Sequence, residues 1–501
     1  MTFDTIIVGA GSAGCVLANR LSEQPTKNIL LLEAGPRDSN LWIHVPLGYG
    51  KLFARTDVNW AYQSEPEPAL NGRSIFTPRG KVLGGSSSIN GLVYIRGQRE
   101  DFDGWGIPGW DFDALTPYFR KSLLKVSALP RHELCDAFID SAAALGIPRN
   151  DDFNGPQQEG TGYYHATTFK GRRSSAATAY LRPAEKRANL RIETNCLVTR
   201  ILFEGKRAVG VVTNKGTFKT NQVLLCAGAF NSPQVLQLSG VGPRALLERH
   251  GIRVVHDSPR VGEDLQDHFY ARTFWRCCKP LTLNDDMRSL FRQAMIGLQY
   301  VLKREGPLTV AAGYAAAFVR TRPELKRPDA QIYFINFSSA RRGGVLHTHS
   351  GFTCAVSQLQ VESRGSVQIR SSEAGEPPAI RYNYLATERD RRMMVEGLKI
   401  ARRICTTKPL SDYAEAEFQP GDKVKSDEDW LAYCREYGET VFHPTSTCRM
   451  GTVVDEKLRV KGIDGLRVVD ASVMPAVPSG NINAAVIAVA EKAADLIRED
   501  A

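Results

Sequence analysis

The chain has 501 residues, too many for one hydrophobic core, so two or three domains are expected. Hydrophobic residues at 43% and charged residues at 24% exclude a disordered or fibrous chain. The net charge of +10 is spread thinly, with no run of five Lys or Arg, which argues against a nucleic-acid partner.

The ten cysteines form no CxxC pair, and adjacent Cys277 and Cys278 suit neither a metal site nor an ordinary disulfide. A reduced, cytoplasmic protein without a metal centre is expected, with no signal segment ahead of the first strand. The apolar stretch from Gly306 to Val319 is too short for a transmembrane segment. No internal repeat or low-complexity tract is visible.

In chain order, Thr5–Val8 reads as a buried parallel strand, followed at once by Gly9, Gly11 and Gly14 in a G-x-G-x-x-G pattern. Ser12 to Glu23 carries apolar Val16, Leu17 and Leu21 at helical spacing, Asn28–Leu32 gives a second strand, and Glu33 and Ala34 close it. This is a dinucleotide-binding arrangement. Gly9 permits the turn, Gly11 lets a pyrophosphate approach, and Gly14 lets the helix pack closely. Ser12 and Ala13 open the helix, whose free N–H groups face the phosphates. Glu33 is placed to accept from ribose hydroxyls and would repel a 2′-phosphate.

A Trp-, Pro- and Tyr-rich region without a clean period (Trp42, Pro46, Tyr49, Trp60, Tyr62) is expected to wrap the first domain. Thr77 to Gly91 follows, with Gly84, Gly85, Ser86, Asn90 and Gly91 leading into an apolar run that includes Val93. Small residues with free backbone donors suit close approach to a flat polar ring or a phosphate.

These two stretches together resemble the glucose–methanol–choline (GMC) oxidoreductases, which are FAD-dependent. The resemblance implies an α/β chain, α+β overall: a Rossmann-like FAD-binding domain and a discontinuous substrate domain on a mostly antiparallel sheet. It places the Gly-Gly-Ser-Ser loop beside the flavin. Some members tether the flavin through a His just before the Asn; Ile89 stands there, so FAD is expected to be bound non-covalently. The implied division is 1–155, 189–283 and 436–501 for the FAD-binding domain, and 156–188 and 284–435 for the substrate domain.

Residues 111–150 read as helices, with Pro117 near a first turn and Gly146 at an end. Residues 151–189 are loop-rich. Asn189–Ile192, Leu197–Phe203 and a hairpin from Ala208 to Val223 read as strands, and the resemblance puts the strand at Val198 against the adenine. Val223 to Gly228 is a buried strand, with Ala227 and Gly228 at its end, then a turn and a helix beginning near Pro233. His268, beside Asp267, reads as a buried hydrogen-bonded histidine rather than a metal ligand. Asp286–Lys303 is an amphipathic helix candidate. Gln331–Asn336, Cys354–Leu359 and Ser366–Arg370 alternate like strands with one solvated face, and Thr387 to Cys405 reads as a helix. His347 and His349 lie in a Gly-rich loop, Arg341 to Gly351, read as a mobile loop at the site mouth.

The last sixty residues carry the chemistry. Thr440–Gly451 contains His443 before Pro444; Leu466–Ser472 contains Asp470, ending a strand, and Ala471; Pro478–Ala484 contains Asn481 and Asn483 at the start of a last helix, either able to cap it. The resemblance assigns His443 as catalytic base and Asn481, eleven residues before Lys492, as its partner, with Asn483 facing the flavin edge. An imidazole can take a hydroxyl proton at neutral pH, an amide N–H can hold the resulting oxygen, and flavin N5 can take the hydride. A primary alcohol is the expected substrate and an aldehyde the product. Oxygen or a quinone or dye is the expected acceptor, and a homodimer is compatible. The alternatives are a lyase of hydroxynitrile type with FAD as scaffold, and a non-catalytic flavoprotein, which would need neither His443 nor Asn481.

Overall fold

The computed structural model describes residues 2–340 and 343–500. Five parallel strands form the first sheet in the order Leu190–Glu193, Ile29–Leu32, Thr5–Val8, Val223–Leu225 and Leu466–Val468. All but the first are fully buried, as β-branched and Leu-rich runs in a covered parallel sheet must be. The helix Ser12–Leu21 follows the glycine turn. A Cβ at Gly14 would lie 1.9 Å from the Gly9 carbonyl oxygen, so only glycine lets the helix sit on its own turn.

The C-terminal helix Asn483–Glu499 packs on this first helix. Arg20 donates to both carboxylate oxygens of fully buried Glu491 at 2.8 Å, and Tyr180 adds a third bond at 2.8 Å. A bidentate ion pair with its remaining lone pair satisfied can hold buried charge. The two ends of the chain thereby meet over the glycine turn. A smaller four-stranded sheet, Thr2–Phe3, Gly216–Thr220, Arg207–Thr213 and Val198–Glu204, flanks them.

A second core surrounds a sheet in the order Ala414–Gln419, Phe269–Cys277, Gly351–Gln358, Ala330–Ile335, Ala315–Val319 and Gly160–Tyr163, with Glu439–Thr440 also on Phe269–Cys277. Every pairing is antiparallel. By sheet membership the chain enters this unit at Gly160 and returns to it at Phe269. The strands Ala330–Ile335 and Gly351–Gln358 are buried on both faces, not solvated on one as their alternation suggested. The helix Glu388–Cys405, capped by Thr387, covers one face. Ser366–Gln368 instead forms a separate ribbon with Ala379–Arg381.

Three helices also differ from expectation. Asp286–Lys303 is two helices, Leu283–Arg288 and Leu290–Lys303, because the Ser289 side chain caps the second. Pro117 lies inside Phe112–Lys121 rather than in its first turn. Pro233 lies inside Gly228–Leu238. Proline withholds the N–H that the Ala229 carbonyl would accept; the hydroxyl of buried Thr447 donates to that carbonyl instead, at 2.6 Å. Thr447→Val should therefore lower stability by about 1–3 kcal/mol, the cost of a buried acceptor left unmade. A shift in the urea midpoint at constant slope is the expected result, and an unchanged midpoint contradicts this reading.

Candidate active site

A cavity of about 510 Å³ runs between the two sheets. At one end it is walled by the glycine turn and by Glu33, Ala34 and Val198; at the other by His443 and Asn481. Of the expected cofactor residues, Gly9, Gly11, Ser12, Ala13, Glu33, Ala34, Gly85, Ser86, Asn90, Gly91, Val93, Val198, Ala227, Gly228, Asp470, Ala471 and Asn483 line it. Gly14 and Gly84 do not: Gly14 serves helix packing, and Gly84 lies one layer back, donating to the Ala10 carbonyl at 2.7 Å.

The end at the glycine turn is built from backbone donors and buried carboxylates. Glu33 accepts from Ala10 and Gly35 N–H, each at 2.9 Å, and burial pushes its pKa up to about 7. Asp470 accepts from Gly228 N–H at 2.8 Å and from Ser232 Oγ at 2.6 Å at the start of Gly228–Leu238, and from Ser472 N–H at 2.8 Å. Burial raises its pKa too. A Cβ at Gly85 would lie 2.6 Å from Gly11 Cα, so the second glycine loop can lie directly on the first. Ser12 donates to Asn483 Oδ1 at 2.6 Å. Neither Asn481 nor Asn483 caps the last helix, whose N-cap Ile482 has no side-chain bond.

One residue holding this loop was not singled out from sequence. Arg173 is buried; its Nη1 donates to Asn90 Oδ1 at 2.6 Å and to the Ser87 carbonyl at 3.2 Å, and its Nε to the Ile43 carbonyl at 2.7 Å. Burial lowers its pKa to about 9. An arginine embedded among Ser and Ala was the available signal.

The other end is a chain of neutral hydrogen bonds. Asn481 Nδ2 lies 3.1 Å from His443 Nε2. Gln331 and Tyr333 face Asn481 Oδ1 at 3.4 and 3.5 Å, so the amide presents N–H to the imidazole. Nε2 must then accept, which in a neutral ring puts the proton on Nδ1. His443 Nδ1 lies 3.0 Å from Nδ1 of His268, itself fully buried. Two ring nitrogens at that distance share one proton. Burial pulls His268 down to about pH 4 against a backbone hydrogen bond at Leu359, so it is neutral and free to accept. Asp267 accepts from His443 N–H at 2.6 Å and from the hydroxyls of Thr440 and Tyr384. His268, read from sequence as a buried hydrogen-bonded histidine, is one, and with Asp267 it fixes both the backbone and the tautomer of His443. Phe442 and Ser446, at φ 73° and 76°, bracket it in a conformation that non-glycine residues rarely adopt.

His347 and His349 stack on each other at 5.2 Å and pack edge-on against Phe418. Gly343, Gly344 and Leu346 of that loop line the cavity; its first two residues, 341 and 342, lie outside the described residues. Among the described residues no group of three His, Cys, Asp or Glu could hold a metal ion. All ten cysteines are free thiols.

Comparison with known proteins gives a consistent picture. The GMC oxidoreductase models match residues 3–270 and 361–490. The chain is 40% identical to an oxygen-dependent choline dehydrogenase of Photobacterium profundum, over 99% of this chain and 93% of that one. It is 41% identical to an alcohol dehydrogenase [acceptor] of Pseudomonas putida, over 99% and 95%. Among solved structures, a pyridoxine 4-oxidase from Mesorbium loti superposes with a TM-score of 0.90 at 30% identity, covering 99% of each chain. A formate oxidase of Aspergillus oryzae gives 0.93 at 27%, covering 100% and 98%.

At neutral pH, ¹⁵N NMR of the imidazoles should find His443 protonated on Nδ1 with Nε2 bare. A ring protonated on Nε2 contradicts the hydrogen-bond chain.

Proposed function

Since the chain belongs to the GMC oxidoreductase family, a family of FAD-dependent enzymes, we propose that it oxidises a primary alcohol to the aldehyde with His443 as base and Asn481 as oxygen-binding partner. The observation carrying this reading is the 3.1 Å approach of Asn481 Nδ2 to His443 Nε2 on the wall of the cavity. The names of the relatives support the substrate class, being those of a choline and an alcohol dehydrogenase.

The cavity suits the cofactor on its own features. Two glycine loops leave space that side chains would fill, a helix N-terminus faces it, and Glu33 and Val198 line the end where a ribose and an adenine would lie. FAD, when bound, supplies the acceptor for the hydride leaving the carbinol carbon. Ile89, which also lines the cavity, offers no nucleophile for a tether, so we propose non-covalent binding.

The chain's own residues manage the proton. A C–H bond gives up hydride readily only when its carbon bears an alkoxide. A hydroxyl between His443 Nε2 and Asn481 Nδ2 would pass its proton to the first and keep a hydrogen bond from the second. Gln331 and Tyr333 hold the Asn481 carbonyl oxygen, so its N–H, which meets Nε2 here, need only turn from the imidazole to the entering oxygen. As the ring becomes cationic, the His268 acceptor at Nδ1 steadies the second N–H. Oxygen, or a quinone or dye, is proposed to take the electrons onward, in the cytoplasm.

His443→Ala should lower kcat by about 10²–10⁴ and Asn481→Ala by about 10²–10³, with flavin content retained. Activity should fall as pH drops, since Nε2 must be bare to accept. Steady-state kinetics on a primary-alcohol panel checks all three, and a full rate in His443→Ala removes the assignment.

A further inference from the structure

Charge is unevenly placed on the cavity wall. Among the described residues that wall carries two carboxylates, Glu33 and Asp470, and three cations, Lys51, Arg79 and Arg272. Both carboxylates stand at the glycine-turn end and are committed there. Glu33 accepts from two backbone N–H groups, and Asp470 from two N–H groups and the Ser232 hydroxyl. The imidazole end has no carboxylate on its wall among the described residues. Asp267 and Glu439 stand behind that wall. The first holds the His443 N–H and two hydroxyls, and the second lies 3.2 Å from Arg272 Nε.

Two guanidinium groups stand at this end instead. Arg79 Nη1 donates at 2.8 Å to the carbonyl of Phe442, the residue before His443. Arg272, Ala355 and Tyr333 form one row across three strands of the antiparallel sheet. Residues in such a row project to the same face, so Arg272 is rooted about 10 Å from Tyr333. The Tyr333 hydroxyl lies 3.5 Å from Asn481 Oδ1. Aromatic faces can hold an ammonium without a carboxylate, but two of the rings on this wall already carry cations. Arg79 lies 5.9 Å from the Phe230 centroid and Lys81 4.8 Å from that of Trp60, on which Tyr62 also stacks. Beyond Tyr333 along its strand the lining turns to carbon. Ile335 and Phe337 follow at the same spacing, joined by Leu283, whose N–H meets the Asn336 carbonyl at 3.1 Å, and by Met287.

We propose that the substrate of this site is a primary alcohol with an apolar body and no positive charge, and that Arg79 and Arg272 turn ammonium alcohols away. An ammonium entering here gives up its water, finds no carboxylate on the wall and meets two guanidinium groups. Pairing with Glu439 weakens the field of Arg272 but leaves its positive member as the one that lines the cavity. His443 becomes cationic as it takes the hydroxyl proton, which sets a further positive charge beside the substrate. An uncharged chain loses only loosely held water and gains the apolar lining. Choline, with its trimethylammonium two carbons from the hydroxyl, is the case this wall excludes. The inference rests on the oxidation proposed above, since that reading places the hydroxyl at His443 and Asn481.

Anaerobic flavin reduction of the full-length FAD-loaded protein by two matched pairs of alcohols tests it. Each pair exchanges a positive nitrogen for carbon: choline against 3,3-dimethylbutan-1-ol, and 5-aminopentan-1-ol against hexan-1-ol. The uncharged member should reduce the flavin with a second-order rate constant larger by about 10²-fold in each pair. Arg272→Gln should narrow that ratio by about tenfold, with flavin content retained. Calorimetric titration with the same four compounds keeps this inference apart from the oxidation it rests on, because the uncharged members should bind more tightly whether or not the flavin is reduced. If no alcohol reduces the flavin while the titration ranks the pairs as expected, the oxidation fails and the charge selection stands. An ammonium member that reduces the flavin or binds as well as its partner, or failure of both uncharged members to bind, overturns the inference. An unchanged ratio in Arg272→Gln overturns the part given to Arg272.

Discussion

Two imidazoles buried against each other, His443 and His268, set the terms for the rest of this molecule. At 3.0 Å their Nδ1 atoms can hold only one proton between them, and burial pulls His268 down to about pH 4 and keeps it neutral. The Asn481 N–H aimed at His443 Nε2 decides between the two neutral arrangements: His268 accepts, and His443 carries its proton on the inner nitrogen. The outer nitrogen is then bare, and it is the one on the cavity wall. A base is made ready by a hydrogen bond on its far side rather than by a charge at its near side.

The fold exists to bring distant segments to that point. His443 and Asn481 come from the C-terminal stretch, His268 and Asp267 from the start of a strand of the seven-stranded sheet, and Gln331 and Tyr333 from its interior. The glycine turn at residues 9–14 meets the last helix through Ser12 and Asn483, and Arg20 and Glu491 hold the two helices together. The glycine-turn end of the cavity and the imidazole end are thus registered by the same helix pair. Arg173 adds a third constraint, pinning the second glycine loop through Asn90. Backbone and amide carbonyls satisfy its Nε and Nη1, while Nη2 is buried without a partner.

Much of this was legible in the residues, and the parts that were not share a physical cause. The strand–turn–helix at the N-terminus can be read because each of its glycines answers a local steric demand. The helix from Glu388 can be read because Thr387 caps a strongly periodic run. His268 could not, because its partner lies 175 residues away and nothing local distinguishes a histidine that orients a base from one that fills a core. Pro233 misled for a similar reason: proline marks a first turn unless a remote hydroxyl, here Thr447, replaces the missing bond. Strands buried on both faces looked half-exposed because Gln331, Thr353 and Ser357 alternate with apolar neighbours, yet those polar groups are buried and hydrogen-bonded. Ser289 splits one apparent helix in two by capping the second.

The central claim is that a neutral imidazole on this cavity wall takes a proton while two electrons pass from a carbinol to the bound cofactor. Anaerobic mixing of the holoprotein with a panel of primary alcohols, followed by flavin absorbance near ~450 nm, tests it most directly. The account predicts that at least one alcohol bleaches the band and releases one aldehyde per flavin. An oxidised spectrum that persists through the whole panel, in protein shown to be folded and loaded, would contradict it.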